Sequence, residues 1–330
     1  MKPTIALLYG GAGREHDVSV AGYAYMNELL DREKYDVLPV YIERDGRWHV
    51  RMRGCDALTY PTADLGGSLY TVYGSVKIDA AIPLLHGDSG EDGSIQGALE
   101  CSGIKYIGAD TAASAICIDK VHTKAVAASL GIPTVPHVAF SYPTDIDDAM
   151  NICLERLGLP LFVKPRRLGS SIGAYPIYTE DDFKKLFPLS MKDGKNLVMV
   201  EKLLTQKREL ECAFCQIDGQ SLITEPAEVL INGFYGYREK YFGDTRTVTS
   251  PILDESIKTL ATSYAKALAR EIGLRHLGRI DFFLNEGNLY FNEVNTFPGF
   301  TKDSLYPKML EHHGIAVKHA LNSFIKDVLC

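Results

Sequence analysis

The stretch that most constrains this chain is "GRIDFFLNEGNLYFNEVNTFPGF", from Gly278 to Phe300. Two apolar runs flank Asn-Glu-Gly-Asn, the pattern of a β-hairpin. A loop over Glu286-Gly287-Asn288, with Asn288 in the left-handed conformation that Asn tolerates, sets Asp281 opposite Glu293 and Arg279 opposite Asn295. Side chains alternate along a strand, so all four then share one face. A two-residue loop at Glu286-Gly287 would shift the pairing by one and separate them. A solvated sheet face can carry such residues, but in this register Phe283 and Phe291 lie on the same face. Two carboxylates and a carboxamide oxygen are hard donors of the kind Mg²⁺ takes. The second strand then breaks at Pro298-Gly299.

The chain of 330 residues is long enough for two or three domains. Its net charge of −7 argues against a nucleic-acid partner, which usually demands a basic excess. No apolar run approaches the roughly 18 residues of a membrane span. The run from Ile5 to Tyr9 is too short for a signal peptide. Seven scattered cysteines fit a reducing cytoplasm better than a disulfide frame. Cys212 and Cys215 form one C-x-x-C without the second ligand pair that zinc needs, and read as strand residues.

"TIALLYGG", a helix from about Val18 to Leu30 and "YDVLPVYI" make a βαβ opening, which implies a parallel sheet. "IDAAIPLLHG" is another buried strand, followed by the helix-like "GSIQGALECSG". The expected first domain is doubly wound α/β, residues 1–120, with Glu15 and His86 on loops at strand ends where such folds bind ligands. "DKVHTKAVAASLG" reads as a helix ending at Gly131. A strand near Val138, a helix near Asp145 to Leu157, "PLFVKP" and "AYPIY" complete a small α+β domain, residues 121–207. Residues 208–330 hold the long strands "ELECAFCQI" and "SLITEPAEVL", a loop from about Ile231 to Ser250, a helix, the hairpin and a C-terminal helix.

"GGAGREHDVS" lacks the third glycine of a dinucleotide fingerprint, and no P-loop pattern occurs. "VKPRRLGSSIGA" instead offers Lys164 at a strand end and a flexible turn that can close over phosphates. Glu201 in "VMVEKLL" can read an adenine edge, and Glu209 can accept ribose hydroxyls; taken alone, each reads first as a solvated strand-end acid. His86 reads by default as a loop cap, and Glu91 and Asp92 as helix-starting acids. Glu15 has the same bland reading. Lys120 and Lys124 share a helix face of the kind that is usually solvated. Lys240-Tyr241 lies in a long loop, and such loops are often lids.

Together, "HGDSGEDGSIQG", "VKPRRLGSSIG", "FYGYREKY", "GRIDFF" and "FNEVNTFPGFT...SLYP", in that order, resemble the D-alanine–D-alanine ligases of the ATP-grasp superfamily. The likeness runs from about Ile5 to Leu329. Arg166 and Arg167 stand where small or single basic residues are commoner, and "AEVL" stands where many members have a Gly-Glu pair.

The resemblance implies an ATP-grasp fold, mixing α/β and α+β, with ATP held between the antiparallel sheets of the last two domains. It implies that Lys120 and Lys164 contact the phosphates and that Ser170 and Ser171 lie on the closing loop. Glu201 and the Leu204 backbone would read adenine, and Glu209 the ribose. Asp281, Glu293 and Asn295 would hold two Mg²⁺, for which Mn²⁺ can stand in. Arg279 and the Gly299 N–H would face the oxyanion. Glu15 would pair with the first D-alanine's ammonium and, with Ser170 and Tyr241, latch the lid. His86 would lie near the first substrate, and Lys240, Ser304 and the Leu305 backbone would receive the second carboxylate. The implied product is D-alanyl-D-alanine for peptidoglycan precursors, made by a cytoplasmic homodimer. The alternative is a D-alanine–D-serine ligase or another ATP-grasp carboxylate–amine ligase.

Overall fold

The computed structural model describes all residues except 53, 64 and 231–245. Three sheets carry the fold. In the first, β1 (Thr4–Gly10) lies parallel to β2 (Asp36–Ile42) on one side and to β7 (Ala80–Leu84) on the other. Helix α1 (His16–Leu29) is the β1–β2 crossover. Residues 5–8 of β1 and all of β7 are buried, as expected where helices or loops cover both faces. Beyond β2 the sheet continues antiparallel through β3 (Trp48–Met52), β4 (Cys55–Pro61), β5 (Ser68–Thr71) and β6 (Gly74–Lys77), strands absent from the sequence reading. Glu15 and His86 do follow the C-terminal ends of β1 and β7. Helix α2 (Ser94–Cys101) comes next in the chain.

The second sheet is antiparallel, in the order β10 (Tyr175–Ile177), β9 (Leu161–Pro165), β11 (Leu197–Lys202), β8 (His137–Ser141). Helices α5 (Ile146–Arg156) and α6 (Glu180–Asp193) pack on it through Ala149, Phe183 and Phe187. Helix α6 is not marked in the sequence, because its interior holds Pro188, a residue that normally argues against a helix. Its start is held by a capping box between Thr179 and Asp182.

The third sheet is also antiparallel, in the order β15 (Arg246–Val248), β14 (Ala227–Leu230), β12 (Arg208–Ile217), β16 (Leu277–Asn285), β17 (Asn288–Asn295). "SLITEPAEVL" is not one strand. It splits into β13 (Gln220–Ile223) and β14, both pairing with β12, and Pro226 lies in the break. Helices α3 (Thr111–Ile118), α4 (Lys120–Ser129) and α7 (Glu255–Ile272) cover this sheet through Cys117, Ala127 and Leu268. Two helices rather than one end the chain, α8 (Leu305–His312) and α9 (Val317–Leu329). Their Met309 and Phe324 join Leu7, Leu84 and Ala213 in a core shared by the first and third sheets.

The hairpin reaches the expected pairing by another route. Its loop is Glu286-Gly287, both at positive φ, closed by the Asn285–Asn288 pair. A bulge between Asp281 and Phe282 makes Asn292 the extra residue, so Asp281 still faces Glu293 and Arg279 still faces Asn295. The bulge also corrects the face assignment. Phe291 pairs with Phe282 in the helix-side core, whereas Phe283 faces the opposite side, with the Lys207 ammonium 3.8 Å from its ring centre.

Candidate active site

The second and third sheets enclose a cleft of about 390 Å³. Lys164 enters it from β9, and Lys120 from the first turn of α4. The loop after β9 brings Ser170 and Ser171; the segment after β11 brings Leu204; β12 brings Glu209. Asp281 and Glu293 form part of the floor. A more open hollow of about 580 Å³, lined by Tyr106, Arg275, His276 and Asp327 among others, holds none of the residues singled out from the sequence.

Both helix lysines are buried, contrary to the solvated reading. Lys120 lies 3.0 Å from Glu293 Oε2. Lys124 lies 3.3 Å, and Lys164 2.6 Å, from opposite oxygens of Glu201. Burial alone would raise the Glu201 pKa, but the two lysines hold it at about 2. Burial pushes Lys164 down to about 8, with Glu201 opposing the shift and Lys124 adding to it. The bulge residue Asn292, which the sequence reading did not use, accepts from Lys164 Nζ at 3.2 Å. Lys207 pairs with Glu209 Oε1 at 2.9 Å beside Phe283, the polar rim of an apolar wall.

On the floor, Arg279 donates to both Asp281 oxygens at 2.8 and 2.7 Å and lies 3.0 Å from Glu211. Burial opposes the charge, yet the carboxylates, Asp281 first, hold the guanidinium pKa well above its usual value. Asn295 Nδ2 donates to Asp281 at 3.0 Å. Among the described residues no group of three His, Cys, Asp or Glu side chains is gathered for a metal. The set is two carboxylates and a carboxamide, hard oxygen donors that fit Mg²⁺. Both carboxylates here lie against cations, so the floor already balances negative with positive charge.

Ser170 and Ser171 both have positive φ, 53° and 55°. Such conformations cost roughly 1–3 kcal/mol each outside glycine and persist only where contacts enforce them. One such contact reaches the loop after β1: Ser170 Oγ donates to Glu15. Gly87, at φ +61°, leaves room for that carboxylate, which any Cβ there would strike. Glu15 is the N-cap residue of α1 but makes no side-chain cap bond, so its carboxylate serves this contact rather than the helix.

Beyond the Glu15–Ser170 contact, outside the lining of the cleft, His86 Nδ1 donates to the Phe297 carbonyl at 3.0 Å, and burial lowers its pKa. Glu91 is buried instead of starting a helix. Its two oxygens accept the N–H groups of Gly87 at 3.0 Å and Phe297 at 2.9 Å. Burial, with Glu15 adding to it, raises its pKa to about 7. Asp92 does act locally, accepting from Ser94 and Ser89. Ser304 Oγ accepts the Thr301 N–H at 2.9 Å and lies against Gly299, and Leu305 is buried. Lys240 and Tyr241 lie outside the described residues. Cys212 and Cys215 are buried strand residues, as read.

Residues 4–109 match the family described as D-ala D-ala ligase N-terminus, and residues 126–326 that described as D-ala D-ala ligase C-terminus. The chain belongs to the D-alanine–D-alanine ligase family. A D-alanine–D-alanine ligase of Thermoanaerobacter sp. is 34% identical, with 98% of this chain and 96% of the relative covered. One from Vibrio cholerae is 37% identical over 98% and 97%. Among solved structures, D-alanyl-alanine synthetase A from Vibrio cholerae superposes with a TM-score of 0.90 at 36% identity, covering 99% and 98% of the two chains. A D-Ala:D-Ser ligase from Enterococcus faecalis gives 0.90 at 28% identity, with both chains covered completely. The ligase fold thus spans all three sheets, and the cleft lies between the two antiparallel ones.

Proposed function

We propose that this chain joins two D-alanines into D-alanyl-D-alanine at the expense of ATP, with the cleft as its active site. The observation that carries the reading is the convergence of Lys120 and Lys164, from separate elements, on a floor that presents Asp281 and Glu293. The enzyme uses ATP and Mg²⁺ and serves peptidoglycan precursor synthesis. Asp281, Glu293 and Asn295 would hold two Mg²⁺, which when bound neutralise phosphate charge and polarise the transferred group.

Lys120, Lys164 and the Ser170-Ser171 turn receive the phosphates. Leu204 and Phe283 wall the base, Glu201 holds Lys164 and faces the adenine edge, and Glu209 takes the ribose. The carboxylate of the first D-alanine attacks the γ-phosphate, giving an acyl phosphate and ADP. The amine of the second D-alanine attacks the acyl carbon, loses a proton and expels phosphate. Glu15 holds the first ammonium, with His86 beside that substrate. Arg279 and the Gly299 N–H stabilise the oxyanion. Ser304 and the Leu305 backbone, with Lys240, receive the second carboxylate, and Tyr241 completes the latch with Glu15 and Ser170.

The three sheets fall one each in residues 1–120, 121–207 and 208–330, which supports that division into domains, although α3 and α4 pack on the third sheet. We assign the enzyme to the cytoplasm as a homodimer; no helix among the described residues is long and apolar enough to cross a membrane.

Phosphate release with ATP, Mg²⁺ and each amino acid in turn tests the assignment. D-alanine is expected to support it and L-alanine to fail; equal turnover with L-alanine contradicts the reading. Leu305 gives the acceptor pocket an apolar wall, so D-serine is the second reading. Such a wall rejects an added hydroxyl only about 10²-fold. Competition between labelled D-alanine and D-serine should therefore yield mainly D-Ala-D-Ala, and a dominant D-Ala-D-Ser product would reverse the order.

A further inference from the structure

The root of the phosphate loop is fastened in a way the reaction itself does not require. Asp119 is completely buried, yet its carboxylate gathers charge. Arg166 Nε and Nη2 donate to its two oxygens at 3.0 and 2.9 Å, and Arg167 Nε donates at 2.9 Å. The same carboxylate caps α4, accepting the N–H groups of Val121 at 3.1 Å and His122 at 3.5 Å. Burial alone would raise its pKa, but the two arginines lower it. The main chain repeats the link. Lys120 N–H donates to the Arg166 carbonyl at 3.0 Å, and Lys120 Nζ to the Leu168 carbonyl at 2.8 Å.

Residues 166–168 are therefore tied by side chain and backbone to the helix turn that presents Lys120. The strained Ser170-Ser171 turn begins two residues later. A carboxylate with a bidentate arginine is a directional, charge-assisted contact. In this position it fixes the angle at which the turn leaves β9.

We propose that Asp119, Arg166 and Arg167 form a positioning clamp that pre-orders the phosphate loop for the nucleotide triphosphate. None of the three residues lines the cleft. It acts through Lys120 and the loop, and it rests on the ATP-binding role proposed for this cleft. By holding the loop in its binding shape, it removes an ordering cost from ATP binding. Its loss weakens ATP affinity while leaving turnover at saturating ATP nearly unchanged.

Four variants test this. Asp119→Asn keeps a capping oxygen but removes the charge. Arg166→Leu removes the bidentate partner, and Arg166→Lys restores charge without the fork. Arg167→Ala truncates a half-exposed side chain and is the variant most certain to fold. The measurements are KM for ATP, kcat, ATP affinity by calorimetry without D-alanine, and hydrogen exchange of amides 169–173 in the ligand-free protein.

The clamp predicts that Arg166→Leu and Asp119→Asn raise KM for ATP about tenfold, on the scale of one lost charge-assisted bond, with kcat within about twofold. Arg166→Lys should recover part of the loss, and Arg167→Ala should show a smaller shift in the same direction. Loop exchange should accelerate in proportion. Unchanged KM and exchange in a folded Arg167→Ala and Arg166→Leu would overturn the proposal, as would a fall in kcat at constant KM. If the wild-type protein binds no ATP, the functional reading falls, while loop exchange in the variants still decides the clamp.

Discussion

In and beneath the cleft, in the region proposed to take the phosphates, Lys120, Lys124, Lys164 and Arg279 each lie 2.6–3.3 Å from a carboxylate. In the region proposed to take the amino acids, Glu91 and His86 reach from the loop after β7 to the backbone of Phe297. The first region arranges charges that a triphosphate and a dication can exchange into. The second aligns peptide groups beside Gly299, where an oxyanion would form. Charge exchange tolerates small displacements because Coulomb attraction falls slowly with distance. Hydrogen-bond donors to an oxyanion do not, since their strength falls steeply with angle and length. The phosphate end should therefore govern nucleotide and metal binding, and the amino-acid end the rate of the acyl step.

The largest effects should come where the two regions meet. Glu293→Gln removes a metal-facing charge at nearly constant volume and should abolish most turnover in a folded protein. Its Mg²⁺ requirement, measured by titrating nucleotide binding, should move to higher concentration. Arg279→Met should lower kcat about 10²–10³-fold, the scale for one lost oxyanion donor. Near-normal turnover in either, with circular dichroism unchanged, would break the assignment of the floor.

Glu91→Gln should come next, and it separates the two ends. The amide turns a donor toward one of two buried N–H groups, at a cost of about 1–3 kcal/mol. The expected result is a kcat reduced about tenfold or more with KM for ATP unchanged. A rise in KM for ATP alone would erase the distinction between the regions.

The same residue gives a pH signature. The unfolded Glu91 carboxyl titrates near 4.5 and the folded one at about 7. Between those values the folded chain holds a proton that the unfolded chain has released, so stability falls as pH rises through that window. Urea unfolding at pH 5 and pH 7.5 should show the wild type losing more stability than Glu91→Gln. Parallel losses would mean that Glu91 does not titrate there.

The smallest effect is expected at Arg14, whose half-exposed guanidinium lies 3.3 Å from Asp193. Exposed pairs of this kind contribute about 0.2–1 kcal/mol. Arg14→Ala should shift thermal stability little and turnover within about twofold. A large loss would place a working contact outside both regions.

Much of the third sheet was legible because strand period and turn residues are local signals. The Asp281–Glu293 pairing followed from them, although through a two-residue turn offset by the bulge at Asn292. A bulge has no fixed sequence mark, and it moved Phe291 to the face opposite Phe283. Strands β3 to β6 escaped because their exposed residues blur the apolar pattern that marked β1 and β7. Lys124 and Glu91 were misjudged for a common reason: a buried charge is tolerated because of partners far along the chain. Glu201 lies 77 residues from Lys124, and Phe297 lies 206 from Glu91. Helix periodicity reports neither. Motif resemblance supplied the roles of Lys164, Ser170 and Arg279, which spacing alone did not distinguish from solvated residues.

The central claim is that one D-alanine carboxylate is activated by the γ-phosphate in this cleft before the second amine attacks. The direct measurement uses D-alanine labelled with ¹⁸O in its carboxylate, with ATP and Mg²⁺, and mass analysis of the released phosphate and the peptide. The expected result is D-alanyl-D-alanine together with phosphate carrying a single carboxylate-derived ¹⁸O, with both products formed about 10²–10³-fold more slowly in Arg279→Met. Peptide formation with unlabelled phosphate, or labelled phosphate with no dependence on Arg279, would contradict it.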